Sequence, residues 1–547
     1  MRQAGGSVAT YLSRTAKKYP NNPALISGAE SPKFPTISFA ELDQQVNQAA
    51  HELKGAGICA GDKTLLFVNP GSSLIIWAFA LFRLGAIPVV IDPGMGIKSF
   101  LSCIKRTKPT AMVGICRAFW LRWLLPRAFR TVHKHFLVRN EAYGTELSTT
   151  NPVENFQGKP DSLAAIVFTS GSTGAPKGVR YLHQTFDAQI ECLRSVFGMQ
   201  AGEVDLTTLP IFGLFNPALG ITSVLPEIDP RKPASAVPEK LVYSLTAHDV
   251  TTAFASPVIG KKVASACSAS GNKLDKMNRF FLAGAPVPPD LVQDLVKALP
   301  NGRVIVPYGA TEALPVSWTD GFSILKAKQS TLQGGGSLIG QPVPGADVKI
   351  LPNCNPPLPD YPSDHKTLEQ AEVGEICVSG KMVSEGYDRM PGATCDARFK
   401  IGDAHFHRMG DLGYFDETGT LRFLGRKAEC VYTHDGPIET ERCEPAINQL
   451  LCVNKCALVG LGDSPNQEPC LVVEPNRSLV RERGEMALRK EILESCNSLF
   501  PKYKINRIFF EKKIPVDARH NAKIHRLTLS KKWTERVAKK ATTGTLA

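Results

Sequence analysis

Long hydrophobic runs are missing from this sequence. The most apolar stretch, 74–82, is cut off by Arg83 and again by Pro88, well short of the ~20 residues that a membrane-spanning helix needs. The opening MRQAGGSVATYL has no apolar core followed by a small-residue cleavage site, so neither export nor a spanning helix is expected, and the expected location is the cytoplasm. Dense Lys/Arg runs interleaved with aromatics are also lacking, which disfavours nucleic acid as a partner. Cysteine pairing is absent as well. Fourteen cysteines sit at irregular positions, and the tight pair Cys452 and Cys456 has no second pair and no histidines at zinc-finger spacing, so the thiols read as small, reduced core residues. His405 and His407 alternate along a strand-like segment without further ligands, and no metal site is assigned to them.

What is present is length and apolar content. With 547 residues and 43% hydrophobic composition, the chain can build several cores, a large part and a small one. The net charge of +13 admits a polyanion, a membrane surface or a small acidic substrate. Apolar strand, turn, helix and strand succeed one another over 63–92, and similar alternation recurs near Ala165 and Val304, which predicts layered α/β structure with buried strands. A Gly/Pro-rich stretch over 331–362 followed by short strand-like pieces (GEICVSG, GTLRFLG) predicts a smaller β-rich subregion. After GRKAEC at 425–430 come two strands (CALVGLG, CLVVEP), a helix (MALRKEILESCNSLF) and a basic tail. This predicts a domain boundary there: 1–425 as the large domain and 426–547 as a small α+β domain.

The strongest motif is TSGSTGAPKG at 169–178, which follows the apolar strand AAIVF and leads into a helix-like segment. Its glycines permit a tight turn. The hydroxyls of Thr169, Ser170, Ser172 and Thr173, with the backbone N–H groups around Gly171 and Gly174, can cradle phosphate oxygens, and Lys177 adds a point charge. It lacks the order of a Walker loop, so a P-loop ATPase is disfavoured.

This loop resembles the signature of the acyl-adenylate-forming superfamily, which includes acyl-CoA synthetases, adenylation domains of peptide synthetases and luciferases. PYGATEA at 307–313 is similar to the family's element in which an aromatic ring stacks on adenine, a threonine meets phosphate and a glutamate holds Mg2+. The resemblance implies those roles for Tyr308 (with Gly309), Thr311 and Glu312. It implies an adenine-lining turn at Gly284, Ala285 and Pro286, ribose contacts from Asp411 in RMGDLG and from Arg426, and a mobile C-terminal domain whose Lys523 bridges carboxylate and α-phosphate during adenylation. ATP and Mg2+ are the implied cofactors.

Some segments depart from the CoA ligases. Where those carry a histidine, this chain has Gly213, flanked by Phe212, Leu214 and Phe215, which read equally well as a hydrocarbon-binding wall or as core. The hinge position is Ala428, followed by Glu429, and the loop after it is THDGPIE. These changes argue against a CoA acceptor. Together with FGLFNPALGITSVLPEIDP and PVDARHNAKIHR, they are most similar to the olefin-pathway β-lactone synthetases. That resemblance implies a 2-alkyl-3-hydroxy acid whose own hydroxyl displaces AMP. The alternatives are transfer to CoA or to a carrier-protein thiol, and, with less support, a non-catalytic relative. Finally, RAFWLRWLLPRAFR at 117–130 mixes cations with large apolar residues. It reads either as a peripheral contact with an anionic membrane or, the favoured expectation because Pro126 interrupts it, as a surface helix packing its apolar side onto the domain. Assembly with other lipid-pathway enzymes is left open.

Overall fold

Short strands of consecutive apolar residues are stable only when both faces are covered, and the chain meets that demand twice. The computed structural model describes residues 7–32, 35–139, 151–169, 176–209, 211–229, 232–353, 368–517 and 523–543. Among these, one sheet has the strand order Lys134–Leu137, Ala111–Gly114, Lys63–Phe67, Ile87–Val90, Leu163–Thr169 and Lys177–Leu182, parallel except for the last strand. Helix Ser72–Leu84 (SSLIIWAFALFRL) is apolar all round because it is enclosed: only Ser72, Leu74 and Leu84 escape full burial. Its buried Arg83 is matched by the Asp43 carboxylate on helix Phe39–Gly55.

The second sheet is mixed. Its parallel part runs Pro23–Ser27, Thr222–Leu225, Val204–Thr207, Thr252–Ala255, Arg279–Leu282 and Arg303–Ala310. Helices Pro257–Ser270 and Pro289–Ala298 pack their apolar faces onto it. At Arg303–Ala310 the sheet turns antiparallel and continues through Ala313–Asp320, Ser337–Pro342, Leu421–Arg426, Ala404–Phe415, Gly374–Ser379 and Asp347–Leu351. The β-rich subregion expected after 331 is therefore a hydrogen-bonded extension of this sheet, joined where Ser317 pairs with Pro342 and Trp318 with Gln341.

One expectation is corrected at the Gly-rich loop. The strand Lys177–Leu182 comes immediately after it, and the helix begins only at His183. KGVRYL is largely buried and pairs with Leu163–Thr169, so the loop joins two neighbouring antiparallel strands.

The smaller C-terminal α+β part has Val453–Leu461, Glu468–Pro475 and Arg507–Phe510 as one sheet, with helices Glu485–Leu499 and Arg526–Thr543. Cys443, Cys452, Cys456 and Cys496 lie inside its core. All thirteen described cysteines are free. No helix among the described residues is long and apolar enough to cross a membrane.

Candidate functional site

Between the large part and the C-terminal part lies a cleft of about 1940 Å³. One wall is a tight hairpin. Ala310 pairs with Ala313 across the turn, so Thr311 and Glu312 form its two-residue tip. Gly309 has no room for a side chain, because a Cβ there would stand 2.5 Å from the Ala313 carbonyl oxygen. The tip is held from outside: the Tyr181 hydroxyl donates to the Thr311 carbonyl at 2.6 Å, and the Ser384 N–H donates to the Glu312 carbonyl at 2.7 Å. The Tyr387 hydroxyl donates to Glu312 Oε1 at 2.9 Å, and Lys177 Nζ sits 4.7 Å from the centroid of the same ring. Tyr387 thus separates the cation from the carboxylate while touching both. Burial, and then the Glu312 charge, push its phenol pKa up, which keeps it a donor.

The opposite wall comes from Ala404–Phe415 and Leu421–Arg426, where Asp411 and Arg426 are cross-strand partners. Asp411 Oδ2 accepts from the Tyr308 hydroxyl at 2.6 Å, and Oδ1 lies 2.9 Å from the Arg426 guanidinium. The Arg426 contact is electrostatic but out of line for a hydrogen bond, so Oδ1, though buried, keeps acceptor capacity for a ligand hydroxyl. Burial raises the Asp411 pKa, with Arg426 and Tyr308 opposing it, and the Asp411 charge raises the Arg426 pKa. Gly425 adopts φ 129, and a Cβ there would meet Thr440 Oγ1 at 2.4 Å, so the approach to Arg426 requires glycine.

Lys523 enters from the C-terminal part. Its backbone N–H donates to Asp517 Oδ1 at 3.1 Å, the Asp517 N–H donates back to its carbonyl at 2.9 Å, and its charge is felt at Asp411. Gly284, Ala285 and Pro286 line the same cleft, as do Lys177, Tyr308, Thr311, Glu312, Asp411 and Arg426. The backbone of Thr169 pairs with Lys177, whereas Ser170, Gly171, Ser172, Thr173 and Gly174 fall outside the described residues.

Three groups in or beside this cleft escaped sequence reading. Tyr387 is one. His407 lines the cleft wall with Nδ1 buried and unpartnered, and burial lowers its pKa to about 4, so it is neutral at physiological pH. Arg398, its cross-strand partner, has Nε and one terminal nitrogen buried without acceptors and lies close enough to feel the Glu312 charge. The only advance signal was the charged and imidazole side chains in the strand-like segments 398–401 and 404–415.

The donor set suits a magnesium nucleotide. No group of three or more His, Cys, Asp or Glu among the described residues could hold a metal by itself. Glu312, on the hairpin tip near Lys177, offers one carboxylate, which matches an ion that takes most of its oxygens from phosphates and water. Lys177, Arg426 and Lys523 place cations in the cleft, and the buried Glu375 is matched by Arg408 at 2.8 Å and Lys427 at 3.1 Å.

Pro307 also borders a second chamber of about 60 Å³, walled by Phe212, Phe215, Phe254, Phe281 and Leu193. Phe212 stacks on Phe254 with centroids 4.1 Å apart. Leu214 packs instead against the core around helix Ser72–Leu84. Gly213 faces Thr207 Cγ2, 3.1 Å from where a Cβ would stand, and Ile75 Cδ1 at 3.4 Å, so a larger residue would crowd both. Buried Asp205 lies at the chamber edge, accepting from Thr207 at 2.8 Å and Asn216 at 3.0 Å.

Comparison with known proteins agrees with this arrangement. Residues 12–388 match the model of the AMP-binding enzyme family. The chain is 38% identical over 509 residues to an olefin beta-lactone synthetase of Stenotrophomonas maltophilia, covering 90% of this chain and 91% of that one. It is equally 38% identical over 517 residues to its counterpart from Xanthomonas campestris, covering 90% of each. Among solved structures, the o-succinylbenzoate CoA synthetase of Bacillus subtilis with its acyl-adenylate intermediate superposes with a TM-score of 0.76 at 21% identity, covering 95% of this chain and 97% of that one. The amide bond synthetase of Marinactinospora thermotolerans gives 0.77 at 20% identity, covering 96% and 99%. At that identity the structures speak to the fold alone. The chain belongs to the AMP-binding enzyme family, as an AMP-forming ligase that uses ATP and Mg2+ to convert a carboxylic acid into its acyl-adenylate.

Proposed function

We propose that this ligase adenylates a long-chain 2-alkyl-3-hydroxy acid and that the acid's own 3-hydroxyl then displaces AMP to close a β-lactone. The observation that carries the reading is the polar cleft holding Lys177, Glu312, Asp411 and Lys523, which Pro307 joins to an aromatic chamber that, at about 60 Å³, would have to widen to take a long chain. The similarity over nine-tenths of the chain to proteins named olefin beta-lactone synthetase supports the second step.

In the first step a carboxylate oxygen attacks the α-phosphorus and pyrophosphate leaves. Lys523 stabilises the charge shared between carboxylate and α-phosphate, and Lys177 and Thr311 hold phosphate oxygens; Glu312 would hold the magnesium, which when bound would neutralise phosphate charge. Tyr308 and the 284–286 turn flank adenine, with Asp411 and Arg426 on the ribose. The segment from Arg426 onward acts as a lid carrying Lys523 to the cleft. In the second step the 3-hydroxyl oxygen bonds to the acyl carbon, the acyl–phosphate bond breaks and one proton is released. Because the nucleophile belongs to the substrate, proximity replaces a second binding event, in keeping with the altered Gly213, Ala428 and the loop after it.

The test is mass spectrometry of products from ATP, Mg2+ and a 2-alkyl-3-hydroxy acid, with and without CoA. Loss of one water from the acid without CoA is expected. A CoA thioester of the same acid as the product would replace this reading with that of a fatty acid:CoA ligase.

A further inference from the structure

Helix Cys116–Leu124 is apolar on both sides. Ala118 is buried, and Phe119 and Leu121 pack on the core beneath the parallel sheet. On the outside, Trp120, Trp123 and Leu124 are 69%, 76% and 61% exposed. Residues three and four apart share a helix face, so these side chains form one ridge, prolonged by the exposed Leu125. The packing expected for this segment accounts only for its inner side. Two exposed tryptophans one turn apart, with leucines beside them, make a contiguous apolar patch of the kind that marks a contact surface.

Charge identifies what the surface contacts. From residue 93 to residue 140 the chain carries ten Lys and Arg and no Asp or Glu, so most of the net charge of +13 falls in less than a tenth of its length. Lys134 is matched by Asp62 at 2.7 Å, and Arg106 is occupied by the Pro176 carbonyl at 2.5 Å. Arg117, one turn before the ridge, and Arg127 and Arg130, just after it, are exposed and meet no carboxylate among the described residues.

We propose that this ridge docks on an anionic lipid bilayer, with the Trp120 and Trp123 rings at headgroup depth and Arg117, Arg127 and Arg130 on lipid phosphates. Indole rings favour that boundary, and a short basic helix with aromatic residues on its outer face lies in the interface rather than crossing it. The exposed arginines at 117, 127 and 130, with no carboxylate in the surrounding 93–140 stretch, are complementary to an anionic sheet. Docking would bring the ligase to the phase into which a long-chain acid partitions. The surface is separate from the cleft, and its occupancy is read without any substrate, so the test is independent of the lactone reading.

The experiment is flotation of the full chain with phosphatidylcholine vesicles, with and without phosphatidylglycerol. Wild type is expected to float with the anionic vesicles and to be released by high salt. Trp120→Ser with Trp123→Ser, and separately Arg117→Glu with Arg127→Glu, should each lower the bound fraction at least about tenfold, with the unfolding midpoint and nucleotide binding unchanged. Absence of wild-type binding to anionic vesicles overturns the proposal. So does flotation that survives both pairs of substitutions, or a tryptophan pair whose only effect is loss of self-association or of a bound protein.

Discussion

Arg526 and Glu429 form a buried ion pair 2.7 Å long, and the other terminal nitrogen of Arg526 meets Glu444 at 2.6 Å. Arg526 opens the C-terminal helix three residues after Lys523, and Glu429 lies three residues after Arg426. One guanidinium therefore fixes the approach of both cleft cations. Burial works against its charge, and Glu444 and Glu429 outweigh that penalty. Replacing Arg526 by Met leaves these carboxylates buried together and is expected to cost about 3 kcal/mol, read by urea unfolding. Adding Glu429→Gln and Glu444→Gln should recover much of the loss. A cost below about 1 kcal/mol would mean that water reaches the pair.

Lys523→Ala is expected to slow adenylation by about two to three orders of magnitude while leaving ATP binding nearly unchanged, since the lysine acts where charge develops in the transition state. Pyrophosphate exchange and calorimetric nucleotide binding separate the two effects. A variant that keeps exchange and loses only lactone release would move Lys523 to the second step.

Glu312→Gln is expected to raise the Mg2+ concentration at half-maximal adenylation by about tenfold, the loss of one charged oxygen ligand. Tyr387→Phe, which removes only the hydrogen bond to Oε1, should produce a smaller shift in the same direction. Identical magnesium titrations for wild type and Glu312→Gln would remove the metal role from this residue.

Asp205 supplies a pH prediction. Burial raises its carboxyl to about 6, partly offset by Asn216 and Thr207. A carboxyl raised on folding contributes stability that is fully present below its unfolded value near 4 and is lost as pH rises through about 6. Asp205→Asn keeps an acceptor for Thr207 and removes the charge. It should stabilise the protein by about 2 kcal/mol at pH 8 relative to wild type and by little at pH 4.5, measured as unfolding midpoints. An equal effect at both pH values would assign the change to packing.

The site was legible in the sequence where its chemistry is local. Tyr308 to Glu312 occupy one strand end and its turn, and Asp411 and Arg426 sit in short glycine-bearing strand segments, so motif order sufficed. Groups whose placement depends on pairing between distant strands were not legible. His407 reaches the cleft wall through the strand register that sets it against Arg398, and Tyr387 meets a glutamate 75 residues away. The Lys177–Leu182 strand was hidden because KGVRYL runs without punctuation into the next helix. The Gly/Pro-rich 331–362 stretch was read as leading into a β-rich subregion, but its continuity with the larger sheet, through the pairing of Ser317 with Pro342 and Trp318 with Gln341, left no mark in the sequence.

The strand Ala404–Phe415 carries His407 and, four residues on, Asp411, and it bulges between them: Arg408 pairs with Cys377 and Leu412 with Glu375, so an advance of four residues faces one of two, with Gly410 at φ 67. At about 3.3 Å per residue the two positions stand at most about 13 Å apart, and the bulge shortens that span and bends the strand. The chamber across Pro307 is built by other segments, Phe212 and Phe215 among them, so its size can change without moving this strand.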